Sequence, residues 1–149
     1  MDPATQSVER IMAHEFLSVG SDERLDFVDD VMGLGRIRHL PVVDEGRLVG
    51  VVSQRDLLAA SLSRVLDFDG SQRRTFLRSV GVAEVMARNP ITVSPSTPLR
   101  DAARLILRHK IGCLPVVDED GRCIGLVTET DLLRGVYGDE SGPGGSAEG

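Results

Sequence analysis

The sequence predicts an α+β fold of two tandem β-α-β-β-α units, related by a pseudo-two-fold axis with their sheets stacked face to face. Three observations predict it. First, the chain repeats itself: residues 11–45 lie over 85–119 at an offset of 74, and after one inserted residue, Asp120, residues 46–58 lie over 121–133 at an offset of 75. Of the 48 aligned positions 18 are identical, so chance does not account for the match. Second, the run Leu40-Pro41-Val42-Val43-Asp44-Glu45 recurs unchanged as Leu114-Pro115-Val116-Val117-Asp118-Glu119. Third, the apolar spacing passes from helical to strand-like in the same order in both copies. A unit of about 50 residues buries too little surface to be stable alone. Two stacked copies would do better, and they would leave two symmetry-related clefts between them.

Each copy opens on a short extended piece, residues 16–19 and 91–93. A helix follows. In the second copy Thr97 suits the N-cap and Pro98 the first helical position, while Leu99, Ala102, Ala103 and Ile106 mark one face. In the first copy Leu25, Val28 and Met32 hold that face, Asp29 replaces Ala103, and Gly33 and Gly35 are expected to help stop the helix. Two apolar runs then form a hairpin, 40–43 and 48–53 around Asp44-Glu45-Gly46-Arg47, and 113–117 and 123–128 around Asp118-Glu119-Asp120-Gly121. A last helix starts near Gln54 and near Glu129. The predicted organisation is motif one at 8–60, a partly helical linker at 61–81, motif two at 82–136 and a disordered tail at 137–149. Leu62, Val65, Leu66, Phe76, Leu77 and Val80 suggest a packed linker, with its break at Asp67-Phe68-Asp69-Gly70-Ser71.

Composition narrows the function. Apolar residues make up 41 % of the 149, enough for a core, but aromatics only 3 %, so Val, Leu, Ile, Met and Ala must build it. The net charge of −6 argues against nucleic acid as the main partner and against a polybasic membrane anchor. The two cysteines, Cys113 and Cys123, are poorly placed to bond and read as small buried hydrophobes in a reducing cytoplasm. No leader pattern opens the chain, and no apolar run approaches the roughly 18 residues a membrane span needs. A cytoplasmic protein is expected. The motifs of a P-loop, a nucleophile elbow, a zinc protease and a cysteine–histidine metal site are all missing. The acidic pairs Asp29-Asp30 and Asp44-Glu45 fall on a helix surface and in a turn. No catalytic residue, metal site or required cofactor is expected.

The tandem unit, its hairpin and its ending resemble the CBS domain, named after cystathionine β-synthase, a pair of which forms a Bateman module. That family's signature is a Gly, two apolar residues, Ser or Thr, two variable residues and Asp. It stands twice, as Gly50-Val51-Val52-Ser53-Gln54-Arg55-Asp56 and Gly125-Leu126-Val127-Thr128-Glu129-Thr130-Asp131. The resemblance implies a non-catalytic regulatory module that binds AMP, ADP, ATP or S-adenosylmethionine between the motifs. A homodimer acting in trans on a protein partner is expected. The alternative is a structural homodimerisation or protein-interaction module with vestigial clefts.

By the same resemblance, Asp56 and Asp131 would accept the two ribose hydroxyls, which a carboxylate does better than a neutral group. Ser53 and Thr128 would reach ribose or phosphate beside the N–H groups of a helix start. Ile37, Pro41 and Val52 would flank one adenine, and Ile111, Pro115 and Val127 the other. The first strand of each repeat would complete the other repeat's site: Ile91, Thr92 and Val93 with Asp56, and Leu17, Ser18 and Val19 with Asp131. Ser/Thr-x-x-Asp before an apolar helix is also a plain capping arrangement; capping and binding can coexist.

The two sites carry unequal charge. Motif one offers Arg36, Arg38, His39 and Arg55, whereas motif two has Gly112, Cys113, Glu129 and Thr130 at the corresponding places. The Asp56 site is therefore expected to take phosphorylated ligands better. Arg108, His109 and Lys110 end the second repeat's helix and either meet its C-terminal dipole or, for Lys110, reach phosphate. His14 reads as an ordinary surface histidine. Arg73, Arg74 and Arg78 read as a solvated face or a dimer rim.

Overall fold

Helical apolar spacing yields two matching helices. In the computed structural model, which describes residues 5–62 and 70–137, α1 spans Leu25–Gly35 and α5 spans Leu99–His109. Leu25, Val28 and Met32 are buried on the first, and Leu99, Ala102 and Ile106 on the second. The ends differ from the sequence reading. Gly33 and Gly35 lie inside α1, and the stop is Arg36 in the left-handed region at φ 54, mirrored by Lys110 at φ 54 after α5. Their N–H groups, and those of Ile37 and Ile111, close on the carbonyls of Met32 and Ile106. A left-handed non-glycine costs about 1 kcal/mol, so these closures hold both basic residues where they are. Thr97 is not the cap of α5. Its Oγ1 accepts the Ser94 N–H at 3.0 Å, and Pro98 occupies the N-cap, so the helix starts one residue later.

The hairpins form where predicted. β1 (His39–Asp44) and β2 (Arg47–Ser53) are joined through Glu45 at φ 52 and Gly46 at φ 83, the positive-φ pair a two-residue turn demands. β4 (Cys113–Val117) and β5 (Cys123–Thr128) take up the extra Asp120 differently: Asp118 Oδ1 accepts the N–H groups of Asp120 and Arg122 at 2.9 and 3.0 Å. The extended pieces shrink to single parallel bridges, Val19 with Val42 and Val93 with Val116. Helices α2 (Gln54–Leu62) and α6 (Glu129–Tyr137) follow the hairpins.

The chain divides into two compact units. One comprises Met1–Phe16, Gly46–Leu48 and Ile91–Gly149; the other comprises Leu17–Glu45 and Val49–Pro90. The lead-in to each repeat thus belongs with the other repeat. In the second unit a short helix, α4 (Val82–Val85), runs into β3 (Ala87–Arg88), which pairs antiparallel with β2 as Val51↔Ala87 and gives the order β1-β2-β3. In the first unit Ala13 bridges Leu126 of the β4-β5 sheet through two backbone bonds of 2.9 and 3.1 Å. This exchange explains the signature glycines. A Cβ at Gly50 would lie 2.7 Å from Met86 sulfur and 2.8 Å from the Ala87 carbonyl, and one at Gly125 would lie 2.5 Å from Met12 sulfur.

Each unit has its own core. Val19, Leu40, Val42, Val52 and Leu57 pack with Leu77 and Val82 in one, and Val8, Val93, Leu114, Val116, Val127 and Leu132 pack in the other. Leu77 comes from α3 (Gly70–Arg78), so this part of the predicted linker is helical and packed. Its arginines are not a free stripe. Arg73 pairs with Asp29 at 2.9 Å, Arg74 with Asp30 at 2.9 Å and Arg78 with Asp26 at 3.4 Å, clamping α3 on α1. The hydrogen bond and charge of Arg74 hold the Asp30 carboxyl below its ordinary range. Val65, Leu66, Asp67, Phe68, Asp69 and the tail beyond residue 137 lie outside the described residues. No helix among the described residues is long and apolar enough to cross a membrane.

Candidate functional site

The two signatures fold into the same strand-to-helix turn. Where β2 ends and α2 begins, the Ser53 N–H donates to Asp56 Oδ2 at 2.8 Å and the Asp56 N–H donates to Ser53 Oγ at 3.2 Å. Where β5 gives way to α6, the Thr128 N–H and hydroxyl both donate to Asp131 Oδ2, at 2.9 and 3.0 Å, and the Asp131 N–H returns to Thr128 Oγ1 at 3.3 Å. These are reciprocal capping boxes, which leave few donors at either helix start unmet. The cap engages one carboxylate oxygen only. Oδ1 of each aspartate has no hydrogen bond among the described residues, and both side chains are half-buried. A carboxylate fixed by one oxygen, with the other open beside helix N–H groups, can accept hydroxyl donors without first being ordered.

The surroundings of the two turns differ. The Gln54 N–H bonds to the Arg38 carbonyl at 2.9 Å, which brings the exposed Arg38 next to the Asp56 turn. Arg55 is exposed on the first turn of α2, and His39 is half-buried at the start of β1. At the other turn Cys113 pairs in register with Thr128 but is buried at 5 % exposure. Burial first, and the Cys123 thiol second, push the Cys113 thiol up to about 12; burial also raises Cys123. Both are free cysteines and neither is primed as a thiolate. Glu129 and Thr130 stand exposed on the first turn of α6, and Lys110 is exposed at the end of α5.

The apolar candidates separate into two kinds. Val52 and Val127 are wholly buried members of the cores, and Pro41 and Pro115 are buried, whereas Ile37 and Ile111 are half-buried. Val51 and Leu126, which alternate with the core valines, remain partly accessible; alternation along a strand could have suggested them. Leu17 and Ser18 are exposed and Val19 is buried, in the unit that holds Asp56. Ile91 and Thr92 are half-buried and Val93 is buried, in the unit that holds Asp131. His14 is exposed. No cluster of three or more metal-ligating side chains occurs among the described residues.

A duplicated turn of this kind on two small mixed α/β repeats defines a class. The CBS domain family matches residues 8–63 and 82–138, and the chain belongs to it. A CBS domain-containing protein of Dictyostelium discoideum is 36 % identical over 127 residues, spanning 85 % of this chain and 88 % of that one. The crystal structure of CBSX2 of Arabidopsis thaliana in complex with AMP matches with a TM-score of 0.75 at 31 % identity, covering 89 % of this chain and 96 % of that chain. The CBS domain pair of protein MJ0100, in complex with 5′-methylthioadenosine and S-adenosyl-L-methionine, matches with a TM-score of 0.72 at 27 % identity, covering 87 % and 94 %. An inosine-5′-monophosphate dehydrogenase of Korarchaeum cryptofilum is 30 % identical over 133 residues, but this chain spans only 25 % of its length.

Proposed function

We propose that the chain is a non-catalytic regulatory module that binds an adenosine-containing ligand at the Ser53–Asp56 and Thr128–Asp131 turns. The observation that carries this reading is the twice-built cap that leaves one carboxylate oxygen of Asp56 and of Asp131 open. The complexes of CBSX2 with AMP and of MJ0100 with 5′-methylthioadenosine and S-adenosyl-L-methionine support the ligand class. In this reading Arg38 and Arg55, with Arg36 and His39, make the Asp56 turn the better phosphate site for AMP, ADP or ATP. Glu129 opposes phosphate at the Asp131 turn, which suits a less anionic ligand such as S-adenosylmethionine. Output in trans on a protein partner, from a homodimer in the cytoplasm, completes the proposal.

The second reading is a structural interaction module without ligand. It is favoured by the caps themselves, since both aspartates have a role in the fold without any ligand. Thermal unfolding of ligand-stripped protein with AMP, ADP, ATP and S-adenosylmethionine separates the two. A ligand at about 100 times its Kd stabilises by about 2.7 kcal/mol. The proposal expects such a shift, reduced in Asp56→Ala or Asp131→Ala according to the ligand. No shift with any of the four supports the structural module.

A further inference from the structure

The two units carry the same first helix but treat its outer face oppositely. On α1, Asp26, Asp29 and Asp30 are met by Arg78, Arg73 and Arg74 of α3, which lies across them. The offset of 74 places Arg100, Ala103 and Arg104 of α5 at those three positions, and Leu107 at that of Gly33. Two charges are thereby reversed and an apolar side chain is added. Arg100, Arg104 and Arg108 are exposed, and Leu107 is 76 % exposed. Among the described residues the one ion pair on this face, Arg104 with Asp101 at 3.9 Å, is itself open to solvent, and no helix covers the face as α3 covers α1.

We infer that the face of α5 formed by Arg100, Arg104 and Leu107 docks an acidic amphipathic helix of a partner protein. The α1–α3 pair shows the geometry such a helix needs. Arg74 and Arg78 of α3 would be replaced by acidic residues at the same spacing, opposite Arg104 and Arg100, and an apolar residue in the place of Arg73 would lie over Ala103 and Leu107. In a chain of net charge −6 the exposed Arg100, Arg104 and Arg108 give this face of α5 a local positive charge that complements an acidic partner. An apolar leucine in the centre of the patch is of no use to a phosphate backbone, which favours a protein helix over nucleic acid. The inference is independent of the adenosine sites.

The test uses the full chain and a fluorescent, helix-stapled peptide of the α3 sequence carrying R73L, R74E and R78E. Anisotropy should show binding that weakens with salt and falls by about tenfold or more in Arg100→Glu/Arg104→Glu. The unaltered arginine peptide should bind that double variant better than the original chain. Circular dichroism and thermal unfolding confirm that the variant is folded, and Leu107→Ser provides a second, charge-neutral variant that should also weaken binding. Overturning results are an acidic peptide that fails to bind, or one that binds equally after charge reversal. Tighter binding of duplex DNA or anionic vesicles, or a self-association of the chain abolished by Arg104→Glu, would also overturn it.

Discussion

The turns at Ser53 and Thr128 share their hydrogen bonds and differ in their charges. One is ringed by Arg38 and Arg55, the other by Glu129, Thr130 and a buried Cys113. The same contrast recurs on the first helices, acidic and covered on α1, basic and open on α5. The lesson is that backbone closure holds the duplicated unit together, while surface charge is free to give each copy its own partner. Caps, positive-φ residues and glycines recur because their geometry admits few replacements. Charges that close a turn or cap a helix, such as Asp56 and Asp131, recur with them, whereas those on the outer faces of α1 and α5 do not, because the fold asks little of them.

The largest effect that can break this comparison is on the signature glycines. At Gly50 an added methyl meets the Met86 side chain and the Ala87 carbonyl, which is fixed in the β2–β3 pair; at Gly125 its three nearest neighbours are all atoms of the Met12 side chain. Gly50→Ala should cost about 1–3 kcal/mol and Gly125→Ala clearly less, as read by urea unfolding, because Met can change rotamer and a paired backbone cannot. Equal losses would mean that both lead-ins yield alike.

Next in size is the α1–α3 clamp, which has no counterpart on α5. Its pairs are exposed by about a third or more on at least one partner, so Arg73→Ala or Arg78→Ala should cost well under about 1 kcal/mol each. The cost should shrink further in high salt. A double-mutant cycle of Arg73→Ala with Asp29→Ala measures the coupling.

The smallest effect compares Asp44 with its repeat partner Asp118. The Asp44 carboxylate accepts the Ser21 hydroxyl and N–H at 2.6 and 2.9 Å, whereas Asp118 closes its own turn. The Ser21 hydrogen bonds, hydroxyl first, hold the Asp44 carboxyl below its ordinary range. A depressed folded value means stability that is present above the unfolded value, near pH 4, and lost as pH falls through the folded one. Asp44→Asn should flatten that acid limb of the unfolding midpoint measured between about pH 5 and pH 2.

Much of this was legible in the sequence. The repeat, the hairpins and the starts of α2 and α6 follow from apolar spacing and turn residues. The caps could be read from Ser53-x-x-Asp56 and Thr128-x-x-Asp131. What could not be read is contact between distant segments. Met12 and Met86 recur in the alignment, but nothing local says that each lies over the glycine of the other repeat. Asp29 and Asp30 could be assigned to a helix surface, but their pairing with Arg73 and Arg74 spans 44 positions. The end of α5 at His109 and Lys110 is legible, and α1 does end at Gly35, but glycine is the obvious residue for a left-handed stop, while the backbone closes one residue later on Arg36 at φ 54.

Calorimetric titration of ligand-stripped protein with ATP, in Asp56→Asn beside Asp131→Asn, decides whether the two turns differ as phosphate sites. Asparagine keeps a cap acceptor and removes the charge, so both variants should stay folded. ATP binding should be lost in Asp56→Asn and retained in Asp131→Asn. Binding that is unchanged in Asp56→Asn, or lost only in Asp131→Asn, would contradict that difference.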